Sequence, residues 1–311
     1  MFDHFAWSVL VTPALVLVGT WLLADRLRPD VALRVFVGAA GVAAAAGTVN
    51  VVAFGVKALA EVPAIARVGG WSHEIVVADT AHVPWVSWLS FAWSFVIVAG
   101  VAAAWVRRRS ALRAIRSEVD WLEPHGDVVT VDDERVDAFA LPGESGRSGR
   151  IVVTTGILDV LDERQTAAVI AHERAHLDGD HAWLLWVSRL AAIAHPVLWP
   201  VARKMAYVAE RAADEAAADE LGGDRRDVAK AIAVAALAAS HLGSGRRAQY
   251  ALAALGDAPG VVPLRVTALM APGARRRWPG LVPMLIAAGT VFWTGECVYD
   301  LYELLVLATV R

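Results

Sequence analysis

Cysteine is almost absent: Cys297 stands alone in 311 residues. An intrachain disulfide and a cysteine-based metal site are therefore excluded. Charge is scarce too, with Asp, Glu, Lys and Arg making up 20% of the chain against 57% hydrophobic residues, and mean hydropathy is +0.48. Soluble domains carry about 25% charged residues, so this composition excludes an ordinary soluble protein. An excess of positive charge is also missing: 29 Lys and Arg face 32 Asp and Glu, a net charge of −3. Nothing in that balance points to nucleic acid as a partner.

What is present instead is apolar runs of membrane-spanning length. The first covers about residues 5–23. No basic stretch precedes it and arginines follow it, so it reads as a span and not as a signal peptide. The second covers 35–56, rich in Ala and Gly suited to close helix packing; the third covers 83–106, and a fourth begins near Leu281. Thirteen tryptophans, several at the ends of these runs, suit interfacial anchoring. Past Thr294 the fourth run mixes Glu296, Asp300 and Glu303 with apolar residues, which reads as an amphipathic extension outside the bilayer.

Arginine placement orients the spans. Arg26, Arg28 and Arg34 lie between spans one and two, Arg107–Arg109, Arg113 and Arg116 follow span three, and Arg275–Arg277 precede span four. The loop 57–82 holds only Lys57 and Arg67 as cations. The positive-inside rule then places both chain ends outside the cytoplasmic membrane and segment 107–277 in the cytoplasm. Three parts are expected: a membrane domain, 1–106, a cytoplasmic domain, 107–277, and a fourth span with its outer extension, 278–311.

Segment 107–277 reads as a small α+β unit. Val128–Val131, Asp137–Leu141 and Arg150–Thr155 have strand composition, and Pro142–Gly149 is a turn. Asp162 with Gln165 three residues on is a capping-box variant, opening a helix to about Asp178. The apolar stretch 182–201, broken by Arg189, His195, Pro196 and Pro200, is expected to lie against or dip into the inner leaflet. Helices over about 202–221 and 228–242 follow. The fold class is thus mostly α with a small sheet, four spans, and a globular unit between spans three and four.

The decisive segment is Ala171-His172-Glu173-Arg174-Ala175-His176. Residues four apart share a helix face, so His172 and His176 can aim at one ion. Zinc in catalytic sites takes three protein ligands and leaves one position open. Glu173, beside the first ligand, is placed to act as general base. For the third ligand the sequence offers His181, Asp180 and Glu210. Glu210 is preferred because it heads Glu210-Arg211-Ala212-Ala213-Asp214, where Asp214, one turn on, can hold a ligand imidazole from behind.

These motifs, with Ala138-Phe139-Ala140-Leu141-Pro142-Gly143 and Ile151-Val152-Val153-Thr154-Thr155-Gly156 before them, resemble gluzincin-type integral membrane metallopeptidases. The motifs look like the HtpX and CAAX-prenyl-protease group, and the layout looks like the protease part of the BlaR/MecR antirepressor sensors. One departure is that HtpX-like enzymes place two spans between the motifs, where this chain has the single stretch 182–201. The resemblance implies a zincin-like fold, one Zn2+ per chain held by His172, His176 and Glu210, and Glu173 as base. It implies a protein or peptide substrate lying along an edge strand, for which Ile151, Val152, Val153 and Thr154 are the segment of choice. The expected partners are the lipid bilayer and either a cytoplasmic repressor, cut in signalling, or membrane proteins, cut in quality control. His195, Tyr207, Arg211 and His241 are the residues available to stabilise an oxyanion. The rival expectation is a catalytically silent zinc-bound receptor or scaffold whose site is occluded by the apolar helix after the motif.

Overall fold

A computed structural model of the chain describes residues 2–144, 148–242, 261–271 and 281–309. The middle of the 142–149 turn, Arg275–Arg277 and the side chain of His241 lie outside the described residues. Four helices are long and apolar enough to cross a membrane: α1 (Phe2–Arg26), α2 (Pro29–Ala60), α5 (Trp85–Val119) and α12 (Leu281–Thr309). They cover the four apolar runs, apart from Val83 and Pro84 ahead of α5. Two short helices, α3 (Pro63–Gly69) and α4 (His73–Ala78), fill the connection between α2 and α5.

The third long helix does not stop where its apolar run stops. It continues through its arginines to Val119, so that Ile115 and Val119 pack on Val129, Phe139 and Val152 of the sheet. The fourth likewise stays helical beyond Thr294, and the expected outer extension is the same helix. There Asp300 meets His4 Nδ1 at 2.9 Å.

The sheet has three strands, β1 (Val128–Val131), β2 (Ala138–Leu141) and β3 (Arg150–Thr154). Their spatial order is β1-β3-β2, with β1 parallel and β2 antiparallel to β3. This corrects one expectation. Ile151, Val152, Val153 and Thr154 pair on both sides, so β3 is the central strand and has no free edge to offer a peptide. Its four buried positions in a row are the mark of a strand covered on both faces, which alternation alone could not distinguish from an edge. The two edges belong to β1 and β2.

After the short helix α6 (Thr155–Val160) comes α7 (Glu163–Asp178). Asp162 caps it with both arms of a capping box: Gln165 N–H donates to Asp162 Oδ1 (2.8 Å) and Asp162 N–H to Gln165 Oε1 (3.1 Å). The apolar stretch 182–201 is two helices and not one. α8 (His181–Ala194) ends at His195, and α9 (Trp199–Glu220) begins after a 3-10 turn, Pro196–Leu198. His195 is extended (φ −139°, ψ 99°), as a residue before proline tends to be. The hairpin formed by α8 and α9 buries Ala191, Leu198, Val201, Met205 and Val208 against Val16, Leu33, Phe36 and Val37 of α1 and α2. The globular part and the long helices therefore share one core. α10 (Arg225–Leu242) and α11 (Val261–Met270) complete the packing, with Val228 and Leu269 against Ala168 and Ala171 of α7.

Candidate active site

α7 carries His172, Glu173 and His176. Ala168, Ala171 and Ala175 on this helix are small and buried, which lets neighbouring helices approach closely. α9 crosses beside it and presents Glu210 and, one turn later, Asp214. Three donor groups converge. His172 Nε2 and His176 Nε2 are 3.2 Å apart, and Glu210 Oε2 and Oε1 lie 3.5 and 3.6 Å from them respectively. A tetrahedral ion with metal–nitrogen bonds of about 2.0–2.1 Å needs its ligand atoms about 3.3 Å apart. The residues fit zinc in donor type and in spacing.

Each imidazole is held from behind at its other nitrogen. His172 Nδ1 lies 2.9 Å from Asp214 Oδ1, and His176 Nδ1 lies 3.0 Å from His181 Nδ1. Such partners fix the ring orientation and leave Nε2 to face the ion. The three candidates for third ligand are thus separated. Glu210 joins the histidine pair within one 4.8 Å group, His181 stands behind His176, and Asp180 lies outside the group, in a left-handed conformation (φ 52°). Gly179 caps α7 at its C-terminal end. Its further role is space: a Cβ there would meet His181 Nε2 at 2.5 Å and Ala175 O at 3.0 Å.

The sequence reading passed over Arg265. From α11 its guanidinium reaches Glu210 (2.9 Å) and Asp214 (Nη2 2.6 Å, Nε 2.9 Å), forming the planar fork that arginine offers carboxylates. A single charge in an otherwise apolar ten-residue helix was the available signal.

Electrostatics follow from burial and from this network. Burial opposes the charged form of His172, but hydrogen bonds to Asp214 and Glu210 override it and raise the imidazole to about 10. Burial lowers His176 to about 3 and His181 to about 4, with the Glu210 carboxylate only partly opposing it. Burial would also raise Glu210, yet Arg265 and the two imidazoles hold it well below the carboxylate range. Glu173 is the exception among the acids: burial lifts it to about 7, although His172 and a hydrogen bond from Ala140 N–H pull it down.

A cavity of about 1200 Å³ opens on these groups, lined by His172, Glu173, His176, Tyr207, Glu210 and the edge strand β2. The alternation of an antiparallel ladder decides what the edge offers. Thr154 N–H donates to Asp137 C=O, so positions 137 and 139 bond inward to β3. The main-chain groups of Ala138 and Ala140 turn outward to the cavity. Of the other oxyanion candidates, His195 contacts Val9 C=O at 2.7 Å and Arg211 pairs with Asp25 at 3.3 Å. Neither lines the cavity, and Tyr207 does.

The site's sequence neighbourhood has known relatives. Residues 102–188 match the model of peptidase family M48. A stretch of 92 residues is 32% identical to a protease HtpX homolog of Dictyoglomus thermophilum, covering 30% of each chain. Over this stretch the chain is HtpX-like. A second protease HtpX homolog, from Acidiphilium cryptum, is 43% identical over 54 residues, 17% of this chain and 18% of that one. The chain thus spans less than a third of either relative's length. The M48 match takes in the end of α5, the sheet and both histidines, and stops before Glu210. No solved structure matches the chain.

Proposed function

We propose that this protein is a membrane-embedded zinc metalloendopeptidase that hydrolyses a cytoplasmic or membrane-proximal protein. The observation that carries the proposal is the convergence of two imidazole nitrogens, 3.2 Å apart, with the Glu210 carboxylate, whose two oxygens approach them to 3.5 and 3.6 Å, beside a general-base candidate and a strand edge that lines the cavity. His172, His176 and Glu210 would hold the ion, with Asp214 and His181 orienting the rings. When bound, zinc supplies Lewis acidity, polarising a carbonyl and acidifying water.

The chain's own residues supply the rest. The outward main-chain groups of Ala138 and Ala140 align an extended peptide by strand addition. Glu173, with its carboxyl raised to about 7, takes the proton of the attacking water and passes it to the leaving nitrogen; a base is most effective near the working pH. Tyr207, three residues before Glu210 and facing the cavity, donates its hydroxyl hydrogen to the developing oxyanion.

The cavity also favours a substrate close to the membrane. Trp21, Trp183 and Trp199 line it with Arg203 and Lys204, the residue types that gather at a membrane–water boundary. In this reading the unit 107–277 works on the cytoplasmic side, between the third and fourth spans. The open cavity beside the ligands speaks against an occluded, silent scaffold. Glu173→Gln should lower kcat about 10²–10⁴-fold while zinc content stays at one per chain. Equal cleavage of casein by the two proteins in detergent would end the enzymatic reading.

A further inference from the structure

Past His181, α8 carries a single charged side chain, Arg189. The register of α8 against α5 fixes its surroundings. A Cβ on Gly100 would meet Ile193 Cγ2 at 2.8 Å, and the Arg108 guanidinium carbon stands 5.0 Å from the centre of the Trp186 ring. The two helices therefore touch at both levels and run antiparallel. Arg189 lies three residues from Trp186 and four from Ile193, so it shares the face that α8 turns to α5. Arg107, seven residues beyond Gly100, returns to that glycine's side of α5 after about two turns. Both arginines thus enter one seam, with Arg108 stacked on Trp186 beside them.

Depth follows from the same register. Along the helix axes Arg107 is about 10 Å from Gly100, and Arg189 is about 6 Å from Ile193 in the same direction. Arg189 consequently sits about 4 Å deeper than Arg107, level with the last turn of the 83–106 apolar run. An ionised group at that depth is costly and marks a functional site with a partner of its own. Among the described residues none of the three arginines forms an ion pair or a hydrogen bond. Arg108 and Arg189 are half-buried and Arg107 is exposed, so the seam is open to what lies beside it. Trp105, its ring centre 6.2 Å from that of Trp186, adds the side-chain type that gathers at the bilayer boundary.

We propose that Arg107, Arg108 and Arg189 form a binding site for the phosphate of an anionic phospholipid, in the leaflet at the end that bears the candidate active site. A phosphodiester accepts guanidinium forks from two helices at once. Long arginine side chains at that depth deliver their charge to the headgroup layer, where basic pockets between helices hold lipid headgroups. Free phosphate has the same chemistry but no acyl chain. Val96, four residues before Gly100 on the same face and exposed, offers an apolar surface for such a chain below the arginines. The site stands apart from the peptide cleft and does not depend on it.

Full-length, zinc-loaded protein in detergent is titrated with phosphatidylglycerol or phosphatidylcholine, and bound lipid is counted by native mass spectrometry. Phosphatidylglycerol should bind about tenfold tighter, and an equal concentration of inorganic phosphate should displace none of it. Arg189→Gln should bring the ratio to about one, Arg189→Lys should keep part of it, and Arg107→Gln should lower it about threefold. Arg109 is the control. Nine residues from Gly100, about two and a half turns, it projects from the opposite side of α5, so Arg109→Gln should leave the ratio intact. Zinc content and helical circular dichroism certify that each variant is folded. A ratio untouched by Arg189→Gln overturns the proposal, as does an equal fall in Arg109→Gln, which would mean that general surface charge is acting. Displacement by equimolar phosphate would assign the seam to a free anion and overturn the lipid reading.

Discussion

At the scale of the residue, the site is a contest between a proton and a metal ion for His172. Hydrogen bonds to Asp214 and Glu210 outweigh burial and raise the imidazole to about 10, so at neutral pH the metal-free site holds a proton there. A ligand nitrogen must lose its proton before binding. Zinc binding at pH 7 should therefore release about one proton per ion, and affinity should rise with pH through the neutral range. Calorimetry in buffers of different ionisation enthalpy reads that number directly; zero release would refute the assigned network. His176, lowered by burial, is neutral already and contributes none. Gly179 supplies a second prediction at this scale. A methyl at Gly179 would overlap His181, which orients His176. Gly179→Ala should weaken zinc binding about tenfold, the low end for a lost partner behind a ligand, in a competition titration against a chelator. Unchanged affinity would show that His181 is dispensable.

The element that fixes the site is α7, whose start is set by Asp162 and Gln165 and whose end is set by Gly179. Removing the cap should cost about 1 kcal/mol. In Asp162→Ala, amides of the first turn, Arg164 to Thr166, should exchange about fivefold faster, while amides near His176 keep their protection. Uniform loss along the helix would mean that the cap holds more than the first turn. This helix was fully legible: cap, periodicity and His spacing are local signals. So were the strand segments and the Glu210–Asp214 face, each carried by a short run of residues. What was illegible depends on partners distant in sequence. The central place of β3 follows from which strand lies on each side of it, and a row of apolar residues fits either position. The break at His195–Pro196 was visible as a proline but its outcome, two helices folded back on α1 and α2, is decided by packing against those helices. Arg265 comes from a helix far along the chain, and its role exists only because α11 docks beside α7 and α9.

For the whole molecule, the contacts sort charged groups onto two ends of the helix bundle. At one end Asp25, in the last turn of α1, pairs with Lys204 (2.7 Å) and Arg211 (3.3 Å) of α9, the helix that carries Glu210. At the other, Ser72 N–H donates to Ala308 C=O (3.0 Å) and His4 meets Asp300, joining the α2–α5 connection to both chain ends. Of the two cations in segment 57–82, Lys57, in the last turn of α2, is buried and tied to Glu61 (2.8 Å) and Thr80 (2.7 Å), leaving Arg67 as the exposed positive charge. The arginines of the α1–α2 turn and of α5 beyond residue 106 belong to the end that bears the site. By the positive-inside rule the proposed orientation puts that end in the cytoplasm. With Cys297→Ser as a cysteine-free background, Val68→Cys and Trp121→Cys place single thiols at positions 91% and 74% exposed. A membrane-impermeant maleimide should label the first in intact cells and the second only after the membrane is opened. The opposite pattern would turn the molecule over and move its substrate to the other side of the membrane, with the zinc site intact.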